Sequence, residues 1–398
     1  MHTLGGLQRG KAVANRSRIL FTCRPLSGHF EPLLPLAVAA RSAGHWVAFA
    51  SGEPVVARAA EAGFVVFEAG PSESFRAEWA PRFPSFTTLV GDAQRRFFLT
   101  EIFANLELAP RAVDLETIMS TWRPDLVVHE MAEFAAPMVA TALGIPYADV
   151  GYGALIPRDL LIAAGTATAV HWSARGLEPH PLGGAFRHLY VDPCPPALQN
   201  PEIADIAAVQ PMRPAAGEPQ TAKRSEVFDL LPPGPVVYLT LGTIWTTAVD
   251  VFRMVIDALH EHVNLIVTVG HQNDPAAIGN QPHNVIVRRY IPQHALLPWC
   301  DAIVAHGGSG TVLGALAHGV PLLVVPQGAD QWGNAVHVVD AGAGRRLLRD
   351  ELSPTAVHDA VTALLTDPSY RRAASNISDE IAAMPSAADA VTALEALV

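Results

Sequence analysis

Residues 305–331 read AHGGSGTVLGALAHGVPLLVVPQGADQ, and this stretch decides the class of fold. Ala302–Ala305 is a short apolar strand, Gly307, Gly308 and Gly310 turn the chain, Gly310–His318 is helical, and Leu322–Val325 is apolar again. Strand, glycine turn, helix, strand is the unit from which parallel, doubly wound sheets are built. The turn is also suited to an anion. Small residues let backbone N–H groups approach a phosphate, the helix N-terminus adds about half a positive charge, and Ser309 and Thr311 offer hydroxyls. His306 adds a donor that needs no metal.

The same alternation extends in both directions. Towards the N-terminus, strands are expected at Arg18–Thr22, Trp46–Ala50, Phe64–Phe67, Leu126–His129 and Pro146–Asp149, with helices at Pro32–Ser42, Pro54–Ala62 and Phe134–Leu143. A second α/β run has strands at Val236–Thr240, Leu265–Val269 and Val285–Arg288, with a helix at Val249–His260. Prolines crowd between Asp192 and Pro235 (DPCPP, NPE, QPMRP, EPQ, LPPGP), a composition suited to a stiff connector. The expected organisation is a disordered lead-in over 1–17, an N-terminal domain over 18–205, a linker over 206–234, a C-terminal domain over 235–380 and a closing helix over 381–398.

With 398 residues, 50% hydrophobic and 16% charged, the chain has material for about two cored domains, and disordered and fibrous classes are excluded. Lys plus Arg is 27 against 38 for Asp plus Glu, a net charge of −11 with no basic cluster, which argues against nucleic-acid partners. Cys23, Cys194 and Cys300 are far apart, so neither a disulfide framework nor a thiolate zinc site is indicated and a cytoplasmic location is expected. No apolar run reaches the ~18 residues of a membrane span. The loop after Arg18–Thr22 is CRPLSGH and lacks G-x-G-x-x-G, which sets aside a dinucleotide oxidoreductase. His260 and His262 flank Glu261, but i and i+2 on a helix point to different faces, so no metal site is expected.

H-G-G-x-G-T followed by G-V-P and P-x-G-x-D-Q resembles the donor motif of family 1 nucleotide-sugar glycosyltransferases, those of actinobacterial natural-product pathways above all. RPLSGHFEPLLPLA, RPDLVVHE with FAAP and GIP, and DPCPPALQ are similar to that group as well, so the resemblance covers nearly the whole chain after the lead-in. It implies a GT-B fold: two Rossmann-like α/β domains facing across a cleft, nucleotide on the C-terminal domain, acceptor on the N-terminal one.

The resemblance makes His29, in the loop after the first strand, the general base that takes the proton of an acceptor hydroxyl. Such a base needs a carboxylate, and Glu130 is assigned that place, with His129 competing one residue away. Donor contacts carried over by position are Gly242, Thr243 and Trp245 in the first turn of the C-terminal domain; Tyr290, Ile291 and Gln293 around the base; His306, Gly308, Ser309, Gly310 and Thr311 at the phosphates; and Asp330 with Gln331 at the sugar. Where many relatives have a ribose-binding Glu, this chain has Gly314. A carboxylate facing no 2′-hydroxyl would be unsatisfied, so its loss suits a dTDP-sugar over a UDP-sugar.

Trp79, Phe83, Phe86 and Phe134 are candidate walls of an apolar acceptor pocket. The expectation is thus an inverting, metal-independent O-glycosyltransferase without a cofactor, acting on an apolar aglycone, with no membrane association and a homodimer left open. The alternatives are a UDP-sugar transferase on a sterol or lipid and a silent nucleotide-binding helper.

Overall fold

The structure is a computed structural model that describes residues 16–72, 74–75, 80–217, 223–242, 249–271 and 273–398. In the N-terminal half, β1 (Arg18–Thr22), β2 (Trp46–Ser51), β3 (Val65–Glu68), β4 (Leu126–Glu130), β5 (Tyr147–Val150), β6 (Leu189–Asp192) and β7 (Val209–Pro211) form one sheet in the order β3-β2-β1-β4-β5-β6-β7. All neighbours are parallel. In the C-terminal half, β8 (Val236–Thr240), β9 (Asn264–Thr268), β10 (Val285–Arg288), β11 (Ala302–Ala305), β12 (Leu322–Val324) and β13 (Gly344–Arg346) give a parallel sheet ordered β10-β9-β8-β11-β12-β13. The central strands are apolar throughout because helices cover both faces. One core layer lies on each side of each sheet.

Strand order reverses between β1 and β4 in the first sheet and between β8 and β11 in the second. Ligands of doubly wound folds bind at such points, beyond the carboxyl ends of the strands. The loop after β1 carries His29, β4 ends on Glu130, the turn after β8 carries Gly242, and β11 runs into His306.

The linker expected over 206–234 is too long at its start. Val209–Pro211 pairs with β6 as the last strand of the N-terminal sheet, its proline tolerated because an edge strand needs no second ladder. At the other end the chain returns to its beginning. Ala387, Ala390, Val391 and Leu394 of the Ala387–Glu395 helix share a core layer with Leu33, Leu36, Ala37 and Ala40, and His45 Nε2 lies 3.0 Å from Glu395. A capping box between Ser386 and Asp389 starts that helix.

Candidate active site

His29 sits on the short helix Ser27–Phe30 directly after β1. Its Nδ1 lies 2.9 Å from Oε1 of Glu130, whose side chain is fully buried while that of His29 is 14% exposed. The two atoms are in close contact without the alignment of a hydrogen bond. Glu130 also accepts from the Ala132 backbone N–H at 2.7 Å and the Arg24 N–H at 3.5 Å. Burial would raise its carboxyl pKa, but His29, Arg24 and the Ala132 amide outweigh burial and hold it below the ordinary value. Register separates Glu130 from its competitor. His129 pairs with Asp149 across β4 and β5 and points at that carboxylate, 3.2 Å away, so the opposite pleat gives Glu130 the side facing His29.

Four further side chains close around the imidazole, none of them among the expected site residues. Arg24 places Nη1 3.4 Å from His29 Nε2 and binds Glu107 through Nε and Nη2 at 2.7 and 2.8 Å. Its guanidinium carbon lies 3.3 Å from the ring centroid of Phe103, which stands edge-on to His29. A π-helical stretch over Phe98–Leu106, closed by the Glu107 N–H on the Ile102 carbonyl, sets Phe103 and Glu107 on the face towards Arg24. Tyr152, in the Gly-Tyr-Gly turn after β5, lies 5.2 Å from the His29 ring. That turn was legible as a strand-end glycine pair; Glu107 gave no signal.

The next residue, Gly153, faces the other domain. A Cβ there would collide with the side chain of Ser309, so the backbone after β5 lies directly against the start of the Ser309–Ala317 helix. Tyr152 touches His29 and Gly153 touches the glycine turn at Ser309. Nearby, the Ala329 N–H, at a left-handed φ of 55°, donates to Gln94 Oε1 of the N-terminal domain at 3.1 Å.

Within the turn, His306 is wedged between two glycines. A Cβ on Gly242 would lie 2.6 Å from its Nε2 and one on Gly308 2.7 Å, and Gly242 has φ 78°. Burial pushes the imidazole down to about 4, against a smaller pull upward from Asp330, so it is neutral at pH 7. Its Nδ1 has no hydrogen-bond partner among the described residues. The chain has there a buried N–H or lone pair beside the backbone of a glycine turn at a helix N-terminus, an arrangement suited to an anion.

The sequence profile of the erythromycin biosynthesis protein CIII-like family matches at both ends, its N-terminal domain over residues 92–215 and its C-terminal domain over 253–397. The chain belongs to this family of glycosyltransferases. It is 31% identical over 383 residues to the L-demethylnoviosyl transferase of Streptomyces niveus (93% of this chain, 96% of that one). It is 31% identical over 394 residues to the elloramycin glycosyltransferase ElmGT of Streptomyces olivaceus (95% and 96%). Among solved structures it resembles the glycosyltransferase SnogD of Streptomyces nogalater, at 27% identity and a TM-score of 0.71 over 96% of this chain and 99% of that one. It also resembles glycosyltransferase VinC in complex with dTDP, at 25% identity and a TM-score of 0.75 over 96% and 99%. The two facing α/β domains are therefore a GT-B fold, as the motifs implied.

The remaining expected residues of the glycosyltransferase fall into three groups. Thr243, Trp245 and Trp79 lie outside the described residues. Ser309, Thr311, Asp330, Gln331 and Gln293 meet at the turn but are tied to one another: Asp330 Oδ2 accepts from the Ser309 N–H at 3.1 Å, the Ser309 hydroxyl at 2.7 Å and Asn334 Nδ2 at 3.0 Å. Gln331 Oε1 accepts from the Gln327 and Gly328 amides, and Gln293 Nε2 donates to the Thr311 hydroxyl at 3.2 Å. Gly310 has open space at its Cβ position.

The third group comprises Tyr290, Ile291, Phe134, Phe83 and Phe86. Tyr290 is 54% exposed and stacks on His271 at 4.5 Å, while Ile291 is buried in a core layer. Phe134 is 2% exposed beneath Gly183, a core residue rather than a pocket wall, because it occupies the N-cap of the buried Ala135–Leu143 helix. Phe83 and Phe86 pack with Phe97 and Phe98 in an aromatic cluster that includes Phe103, the ring edge-on to His29. Among the described residues no three His, Cys, Asp or Glu side chains gather as a metal site, and no helix is long and apolar enough to cross a membrane.

Proposed function

We propose that the enzyme is an inverting O-glycosyltransferase that moves a sugar, in particular a deoxysugar, from a dTDP-sugar to a hydroxyl of an apolar natural-product aglycone. The observation that carries this reading is the continuity of Tyr152 and Gly153, which sets the His29–Glu130 pair against the Ser309 helix terminus across the domain boundary. A base and an anion site so joined suit a single displacement.

His29 Nε2 takes the proton of the acceptor hydroxyl as its oxygen forms a bond to the anomeric carbon. The bond from that carbon to the diphosphate oxygen breaks on the opposite side, its electron pair leaving with the diphosphate. Glu130, held ionised, stabilises the imidazolium that results. The His306 ring, the Ser309 helix terminus and turn amides take up the leaving group's charge, a role that calls for no metal. Activity is accordingly expected to survive a strong chelator.

Gly314 supports the choice of nucleotide. A Cβ there would lie 3.1 Å from Leu297 and 3.6 Å from Gln293 Oε1, so the helix face is closely lined where a ribose carboxylate would otherwise stand. The VinC complex with dTDP is in keeping with this choice. The test is thermal stabilisation by dTDP and UDP at matched concentration, since a ligand of the native state raises stability as ln(1 + [L]/Kd). Stabilisation by dTDP alone is expected; equal or greater stabilisation by UDP refutes the nucleotide assignment. His29→Ala should keep the dTDP effect and lose transfer.

A further inference from the structure

Arg24 is 7% exposed, and most of its donors are spoken for. Nε and Nη2 form a bidentate pair with Glu107, and the guanidinium plane is backed by Phe103. The fork is thereby fixed in place, and Nη1, the nitrogen not bound to Glu107, donates one of its two N–H groups to His29 Nε2 at 3.4 Å. His29 Nδ1 is directed at Glu130, so Nε2, which accepts from Arg24 in the unliganded site, is the atom to receive the acceptor's proton once the acceptor oxygen takes over the Arg24 N–H. An oxygen within hydrogen-bond distance of Nε2 therefore comes within reach of Nη1 too. A guanidinium only donates, so that oxygen must accept from it.

We propose that Arg24 donates through Nη1 to the reacting oxygen of the acceptor, and that the enzyme in this way favours hydroxyls that ionise readily, phenolic or enolic, over aliphatic alcohols. The proposal rests on His29 being the base of the transfer reaction. A charged donor binds an oxyanion more strongly than a neutral oxygen, so its effect grows with the negative charge the acceptor oxygen carries at attack. A phenolic oxygen carries much of that charge early; an aliphatic hydroxyl keeps its proton until late.

The charged and titratable groups facing the fork are Glu107, Glu130, His29 and Tyr152, with Arg111 behind them 3.9 Å from Glu133. Glu107 matches the Arg24 charge. The fork thus acts as a directed donor, without a large net positive potential that would oppose the imidazolium on His29.

The test follows the ionisation of 7-hydroxycoumarin, read by its absorbance, bound to the full-length enzyme saturated with dTDP, a mixture in which no transfer occurs. The bound probe is expected to ionise about one pH unit lower on the wild-type enzyme than on Arg24→Lys, which keeps a cation beside Glu107 but loses the fork. No displacement on the wild-type enzyme, or the same displacement on Arg24→Lys, overturns the proposal. In transfer assays, Arg24→Lys should lose about tenfold more kcat/KM with 7-hydroxycoumarin than with 7-(hydroxymethyl)coumarin, and an equal loss with both overturns it.

Unchanged stabilisation by dTDP checks that the variant is folded. Should Arg24→Lys not fold, Arg24→Gln combined with Glu107→Gln replaces the buried ion pair by a neutral one and is read in the same way. A fully active His29→Ala would sink the base assignment by itself, because the ionisation readout needs no transfer.

Discussion

Replacing Glu130 by glutamine removes one charge at fixed shape. In the transition state His29 becomes an imidazolium whose Nδ1 lies 2.9 Å from Glu130 Oε1. Coulomb's law at an effective dielectric of about 20 gives roughly 6 kcal/mol for that separation. Two effects reduce the loss. Glutamine still accepts from the Ala132 amide, and the cost of burying a carboxylate disappears. A net loss of about 3–5 kcal/mol remains, or roughly 10²- to 10⁴-fold in kcat. The amide can also donate to Nδ1, which would turn the ring to the tautomer carrying its proton on Nε2, where the acceptor binds. The measurement is product formation under saturating dTDP-sugar, with dTDP-induced thermal stabilisation as the control for folding and donor binding. A loss of kcat below about threefold, with stabilisation intact, would refute the claim that Glu130 supports the base. So would an equal loss from Asp149→Asn, which leaves Glu130 untouched.

Three more outcomes follow from the donor side. His306 is held down to about 4 in the folded state, whereas the unfolded chain takes up a proton near the ordinary value of about 6.5. The unfolded state therefore binds more protons between those values, and stability falls as pH drops through that window. His306→Gln should show a shallower decline in Tm from pH 7 to pH 4 than the wild type, the difference amounting to about 3 kcal/mol at most; parallel curves refute the assignment. Gly242→Ala forces a side chain into a left-handed backbone and into His306, costing about 1–2 kcal/mol in denaturant unfolding and weakening dTDP binding measured by calorimetry. Gly153→Ala pushes a methyl against Ser309 and should lower kcat/KM at least about tenfold, while urea unfolding moves little if the domains part to accommodate it.

The parts of the fold that were legible in sequence are those buried on both faces. RILFT, VVYLT and AIVA were read as strands with the boundaries they have, since a central strand covered by helices on each side is apolar along most of its length, and the edge strand VIVR was read as well because three of its four residues are β-branched and apolar. β7 (VQP) and β13 (GRR) were not, because an edge strand is exposed enough to tolerate proline and arginine. β6 (LYVD) is buried but ends in the proline-rich stretch that read as connector. His29 and Glu130, 101 positions apart, were picked out by the family resemblance; that they meet at one reversal of strand order is visible only in the structure. Choosing Glu130 over His129 needed the register between β4 and β5. Arg24 lay in the quoted loop, yet its purpose depends on Glu107 and Phe103, which reach it through a π-helical segment that no apolar periodicity announces.

The two halves of the site solve their charge problems differently, and the difference explains the division of labour between the domains. Around His29 the chain buries full charges and pairs them, Arg24 with Glu107 and Glu130 with the imidazole, since a base that gains a proton needs a fixed counter-charge in place. Residues 305–331 contain no lysine or arginine at all. The charge expected there belongs to the substrate, arriving with the diphosphate and leaving with the product. A buried cation would have been unpaired between turnovers, whereas a neutral His306, glycine amides and a helix terminus can remain dry and still receive an anion. Asp330 fits the same logic. Its carboxylate is fastened to Ser309 and Asn334, which keeps a negative charge at the helix terminus satisfied. With paired counter-charges around His29, and dipoles and a tied-down Asp330 but no cation at the turn, proton transfer and leaving-group departure can each be stabilised without a buried cation left unpaired in the absence of substrate.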